Sequence, residues 1–120
     1  MIDASDVIVY LARGTCPRPA VACVTMGAVA AGTRYVRISF RLPEGPGIAR
    51  AWFPDELAAA IAHELQHVVE IVGWPEVVDG ETLLAAYMRH GRDLGGRRLD
   101  TDAAVRAGDD ARAEVRASRR

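Results

Sequence analysis

His63, Glu64 and His67 stand in the spacing H-E-x-x-H. On a helix, positions i and i+4 lie one turn apart on the same face, so both imidazoles can reach one metal ion. The Glu between them projects beside that ion, where it can take a proton from bound water. Three residues on, Glu70 falls on the same face.

The motif is short, so its flanks decide how it is read. On a wheel of about 100° per residue with Leu57 at zero, Leu57, Ala58, Ile61, Leu65, Val68, Val69 and Val72 span roughly 0° to 120°. His63, His67 and Glu70 fall at about 240°, 280° and 220° on that wheel. The apolar face and the histidine face are therefore opposite, which argues against ordinary core histidines. At or beside the histidine face stand Ala59, Ala60 and Ala62, where an exposed face usually carries long charged side chains. Such small residues are expected to leave a cleft open to a substrate.

A helix must carry this motif, and the sequence predicts one. Pro54 suits a first helical position, Asp55 and Glu56 place negative charge at the positive end of the dipole, and Gly73-Trp74-Pro75 stops the run after Val72. Upstream the pattern is that of strands. Val7 to Leu11 is β-branched and aromatic, and Val21 to Ala30 is a second run weakened by Gly27. In Tyr35 to Leu42, Val36, Ile38, Phe40 and Leu42 alternate with Tyr35, Arg37, Ser39 and Arg41. Short links, with Ala31-Gly32 as a tight turn, predict an antiparallel meander of about three strands. Residues 43–53 read as a loop from their Pro and Gly content. Downstream, a second helix is expected from an Asp79 N-cap to Gly91, with Leu83, Leu84, Tyr87 and Met88 as its apolar stripe. The fold class is α+β, with one or two helices after the motif helix.

From Arg92 the composition shifts to Gly, Arg, Asp and Ala. The division expected is a domain over residues 1–92 and a C-terminal segment over 93–120. That segment reads as a short helix or as disordered. If helical, it would start after a Thr101 cap and present Ala104, Gly108, Ala111 and Val115 as a small-residue stripe. Cys16 and Cys23 are seven apart and read equally as a small disulfide loop or as two buried thiols.

The chain has 120 residues, of which 50% are hydrophobic, enough for one core and too many for a disordered chain. No apolar run approaches the ~20 residues of a membrane helix. Fifteen basic residues, all Arg, against sixteen acidic ones give a net charge of −1, which argues against a nucleic-acid partner recruited by bulk charge. Met1 to Asp6 has neither a basic nor an apolar signal-peptide region, so the chain as it stands reads as cytoplasmic. Export is expected only if an upstream segment exists.

The stretch A-H-E-L-x-H-x-x-E-I over residues 62–71 resembles the zincin metallopeptidases, in which a sheet lies over a helix bearing the motif. The chain is also similar to small bacterial proteins with HELQH followed by P-x-V-x-D, here residues 75–79. The resemblance implies a Zn²⁺ cofactor, His63 and His67 as its ligands, and Glu64 as general base and then acid toward the leaving amine. It implies hydrolysis of a peptide or protein substrate, with the strand before the helix offering an edge to an extended peptide. No third His follows at the metzincin spacing. A catalytic zinc needs a third protein ligand and an open position. Glu70 is the first candidate, although it lies about 7.5 Å along the axis from the metal's level at ~1.5 Å per residue. It could instead hold the second nitrogen of His67. Glu76, Asp79 and Glu81 are the rivals, each also readable as a surface acid or cap. Tyr87 and His90 are candidates for a group near the oxyanion. Two other classes stay open: an inactive metal-binding or protein-interaction module on the same helix, and an interaction domain in which the motif is coincidental.

Overall fold

In the computed structural model, which describes residues 5–17, 20–41, 48–93 and 99–118, the alternation of the first third becomes three strands. These are β1 (Val7–Arg13), β2 (Ala22–Ala30) and β3 (Thr33–Phe40). Val36 and Ile38 of β3 are fully buried, while Arg37 between them is exposed. One sheet face is thus apolar, as the pattern requires. Ala31 and Gly32 both have positive φ, 51° and 80°, and make the two-residue turn joining β2 to β3.

The sheet is not the expected meander. Its order is β1-β3-β2, with β3 parallel to β1 and antiparallel to β2. The link over residues 14–21 is long enough for β2 to step past one strand position, and the β2–β3 hairpin then folds β3 back into that slot. Cys16 and Cys23 form a disulfide that closes this link. The Gly14 N–H donates to the carbonyl of Phe40 at 2.9 Å, and that of Arg41 to Val21 at 2.8 Å, tying the link to the end of β3. This order corrects a functional expectation too. The strand that precedes the motif helix is the central one, with both edges paired, so among the described residues the outer edges belong to β1 and β2.

The motif helix, α1, runs Ile48–Val72 and starts six residues before Pro54, because Ala49, Arg50 and Ala51 are strong helix formers. Residues 48–53 of the expected loop are therefore helical, and 42–47 lie outside the described residues. Asp55 and Glu56 consequently sit beyond the first turn. They serve instead as docking points for the C-terminal helix.

The remaining elements are α2 (Gly80–His90), the short pair β4 (Arg92–Asp93) and β5 (Leu99–Asp100), and α3 (Asp102–Ser118). Asp79 caps α2 as expected: its side chain accepts from the Thr82 N–H while the Thr82 hydroxyl accepts from the Asp79 N–H. The segment after residue 93 is helical over α3, and it packs along α1. Gly108 lets the two helices approach so closely that a Cβ there would lie 3.1 Å from the Ala59 carbonyl oxygen and 3.5 Å from His63 Cβ. Arg112 grips Glu56 at 3.0 and 3.1 Å, and Arg116 reaches Asp55 at 2.9 Å. The alanine face of α1 is thus filled by a helix, not left as a cleft: Ala59 is only 3% exposed. Gripped by the sheet and by α3, α1 turns Leu65 outward at 39% exposure and buries Ile71 completely. Among the described residues, no helix is long and apolar enough to cross a membrane.

Arg34 fixes α1 to the sheet. It is 3% exposed. Its Nη1 donates to the carbonyls of Ile71, Trp74 and Val77 at 3.1, 3.0 and 3.0 Å, and its Nε and Nη2 form a two-point pair with Asp6 at 3.0 Å each. These carbonyls belong to the end of α1 and the turn after it, where helix carbonyls lack partners within the helix. Arg34→Ala leaves a buried void and removes a charged donor from three carbonyls, so it should cost about 2–4 kcal/mol. Urea unfolding followed by circular dichroism would check this; an unchanged midpoint would show that water replaces the guanidinium freely.

Candidate metal centre

His63 and His67 project from one face of α1, their rings 4.9 Å apart. The Nε2 atoms of both converge on a single oxygen, Asp100 Oδ1, at 2.9 and 3.2 Å. The donor atoms of His63, His67 and Asp100 all lie within 4.8 Å of one another, close enough to surround one ion. Two imidazoles and a carboxylate are a donor set that suits a divalent transition metal and leaves a fourth position open. Asp100 reaches this place because it is the last residue of β5, directly before the α3 N-cap. Thr101 makes that cap, its hydroxyl accepting from the Ala104 N–H at 3.2 Å, and the Thr101 N–H donates to Asp100 Oδ1 at 2.8 Å.

Glu70 stands on the other side of the His67 ring. Its Oε1 meets His67 Nδ1 at 2.9 Å, and its Oε2 accepts from the Thr101 hydroxyl at 2.6 Å. This is the alternative geometry considered for Glu70: it holds the nitrogen turned away from the ligand group. The cause is the axial offset of a residue three positions past His67. With Nδ1–H committed to Glu70, the ring presents Nε2 to an ion. The rivals lie elsewhere. Glu76 pairs with Arg89 at 3.1 Å, Asp79 caps α2, and Glu81 is exposed in the first turn of α2.

Glu64 is buried beside the group at 9% exposure. Burial, only partly offset by the charges of His67 and His63, pushes its carboxyl up to about 7. His67 is also buried, which disfavours its charge, but hydrogen bonds to Asp100 and Glu70 and the charge of Glu64 outweigh burial and raise it to about 9. Asp100 also pays for burial, yet the hydrogen bonds from His63 and His67 hold it well below the usual carboxylate range. The Tyr87 ring lies edge-on to His67 at 5.1 Å, and its hydroxyl is buried without a hydrogen-bond partner among the described residues. Burial and the nearby carboxylates push that hydroxyl well above its ordinary pKa. His90 is one ring further out, stacked on Trp74 at 4.9 Å, while Trp74 meets Tyr87 edge-on at 5.7 Å.

Asp100 was not among the residues singled out from sequence. Two signals bore on it. Thr101 read as a cap, and Ala104, Gly108, Ala111 and Val115 read as a small-residue stripe. A helix packed tightly on the motif face delivers the residue before its cap onto that face.

No protein-family model matches the chain, and neither a curated protein nor a solved structure is significantly similar to it.

The two carboxylates have separable consequences. Asp100→Ala should abolish stoichiometric metal binding, whereas Glu70→Ala should weaken it about 10- to 100-fold at unchanged stoichiometry. Competition with a chromophoric chelator distinguishes them; the reverse ranking would make Glu70 the ligand. The pH dependence has a definite sign. In the metal-free protein His67 holds its extra proton until about pH 9. An ion must displace that proton at any lower pH, so affinity should fall about tenfold per unit of acidification below 9 and level off above it. Calorimetry in buffers of different ionisation enthalpy should show at least one proton released at pH 7, from His67 with a further share from Glu64; no release would place His67 neutral.

Proposed function

We propose that the protein is a zinc-dependent peptidase, with His63, His67 and Asp100 as the metal ligands and Glu64 as general base. The observation that carries this reading is the convergence of both motif Nε2 atoms on one Asp100 oxygen, beside a buried Glu64. It agrees with the resemblance of the motif to the zincins. Bound zinc would acidify a water toward a pKa of ~7 and stabilise negative charge on the carbonyl oxygen.

The chain's own groups do the rest. The Glu64 carboxyl, raised by burial, would be drawn back toward the carboxylate form by a divalent cation beside it, which would suit it to take the water's proton. It then returns that proton to the leaving amine. Glu70 and Thr101 hold His67 in the tautomer a ligand needs. Tyr87 packs its ring on His67, its buried hydroxyl has no partner among the described residues, and in this reading that hydroxyl donates to the oxyanion. Access is from the His63 side, where the side chain is 25% exposed against 7% for His67.

A second reading is an inactive metal-binding or interaction module. It is favoured by α3, which fills the alanine face where a substrate cleft was expected.

Elemental analysis of the purified protein beside a His63→Ala/His67→Ala double variant should find about one zinc per chain, lost in the variant. Glu64→Gln should keep the metal while peptide cleavage falls at least about a hundredfold. Full turnover in that variant would remove Glu64 as the base. Zinc with no cleavage of any peptide library would select the module, and no metal in either protein would end the metal reading.

A further inference from the structure

Gly91 lies between α2 and β4, and its surroundings are tighter than any cap requires. Its N–H donates to the Tyr87 carbonyl at 2.7 Å, closing α2. A Cβ built on it would stand 2.6 Å from the Asp100 carbonyl oxygen and 2.7 Å from the Tyr87 carbonyl oxygen. Both are backbone atoms, so neither can swing aside as a side chain would. The backbone there, with φ −94° and ψ −171°, is open to any residue. Space, not torsion, demands glycine. Beyond it, β4 pairs with β5 through Arg92 and Asp100.

The two obstructed carbonyls belong to residues of the metal centre. Asp100 carries the carboxylate shared by His63 and His67, and the Tyr87 ring packs on His67. We infer that Gly91 is a positioning residue: its missing side chain lets the end of α2 close on β5, and that closure sets where the Asp100 carboxylate meets the two histidines. The inference rests on the metal reading above. A Cβ at position 91 must push the Asp100 backbone away by several tenths of an ångström. The carboxylate has no slack to absorb this, because Oδ1 is already held by two imidazoles and by the Thr101 N–H. Gly80, at the opposite end of α2, meets nothing within 4 Å and serves as a control.

The test uses the full chain with Zn²⁺ and Co²⁺ as probes, in wild type, Gly91→Ala, Gly80→Ala and His63→Ala. Gly91→Ala should bind zinc about tenfold more weakly or worse, the scale of an outer partner's loss. It should also shift the visible spectrum of bound cobalt, which a merely lowered melting temperature would not. Gly80→Ala should match wild type in both. Wild-type affinity with an unaltered cobalt spectrum in Gly91→Ala would overturn the inference while leaving the metal site intact, provided that His63→Ala loses binding. Equal absence of binding in wild type and His63→Ala would instead remove the metal reading, and this inference with it. Should Gly91→Ala fail to fold, zinc titration of ¹⁵N-labelled wild type decides: the Gly91 amide should move together with that of Asp100. A Gly91 amide unmoved while those of His67 and Asp100 shift would overturn the inference.

Discussion

Polar groups buried on a helix need partners, and α1 buries His67 on its histidine face, with His63 one turn before it. The Asp100 carboxylate supplies one for the Nε2 atoms of both histidines. Without it, the two Nε2 atoms would lose their shared acceptor, at a cost of about 1–3 kcal/mol for a buried group left unpaired. The arrangement of the C-terminal third follows from this. Thr101 caps α3 and so points the preceding residue at the histidines. Gly108 brings α3 close enough to deliver it. Arg112 and Arg116 set the angle from the far end of the contact through Glu56 and Asp55.

The opposite side of α1 is held by a different device. Val68 and Ile71 press on Val36 and Ile38, but apolar contact alone leaves a helix free to slide along a sheet. Arg34 removes that freedom, because a planar fork that binds three carbonyls and a carboxylate fits in one position only. It fixes the end of α1 where Gly73 and Trp74 break the helix, and this is also where the chain departs toward α2. Tyr87 therefore meets His67 from a direction set at β3, some fifty residues earlier in the chain.

Much of this was legible in residue patterns of short range. The alternation through Tyr35, the Ala31-Gly32 turn, the Asp79 cap and the i,i+4 histidines each act within a few residues, and each carries its own physical signal. Strand order was not legible, because the link over residues 14–21 permits either a neighbour or a skipped position, and only the closed sheet chooses. The helix start was misplaced because Pro54 was read as a first helical position, whereas α1 begins at Ile48 and carries Pro54 inside it, without an N–H for the Arg50 carbonyl. Asp55 and Glu56, suited by charge to a helix start, act across the α1–α3 contact instead. The third carboxylate was sought near the motif because helical reach is short. Asp100 comes from 33 residues beyond His67, and nothing at that distance is visible without knowing that α3 docks.

That distance also gives the centre its physical consequence. His63 and His67 share a rigid helix, but Asp100 belongs to a segment joined to it by packing and by a few polar contacts. An ion bound to all three would tie β5 and α3 to α1, so its binding energy counts toward holding the C-terminal third in place. At the other end of the molecule the Cys16–Cys23 disulfide closes the link that lets β3 enter the sheet. A domain of 120 residues has limited apolar area to spend on each interface. Here the β1–β2 link and the α3 contact with its small side chains are places where a covalent or a coordinate bond can add support. The small residues that make α3 a weak hydrophobic partner are the same ones that let it come close enough to bring Asp100 to the histidines.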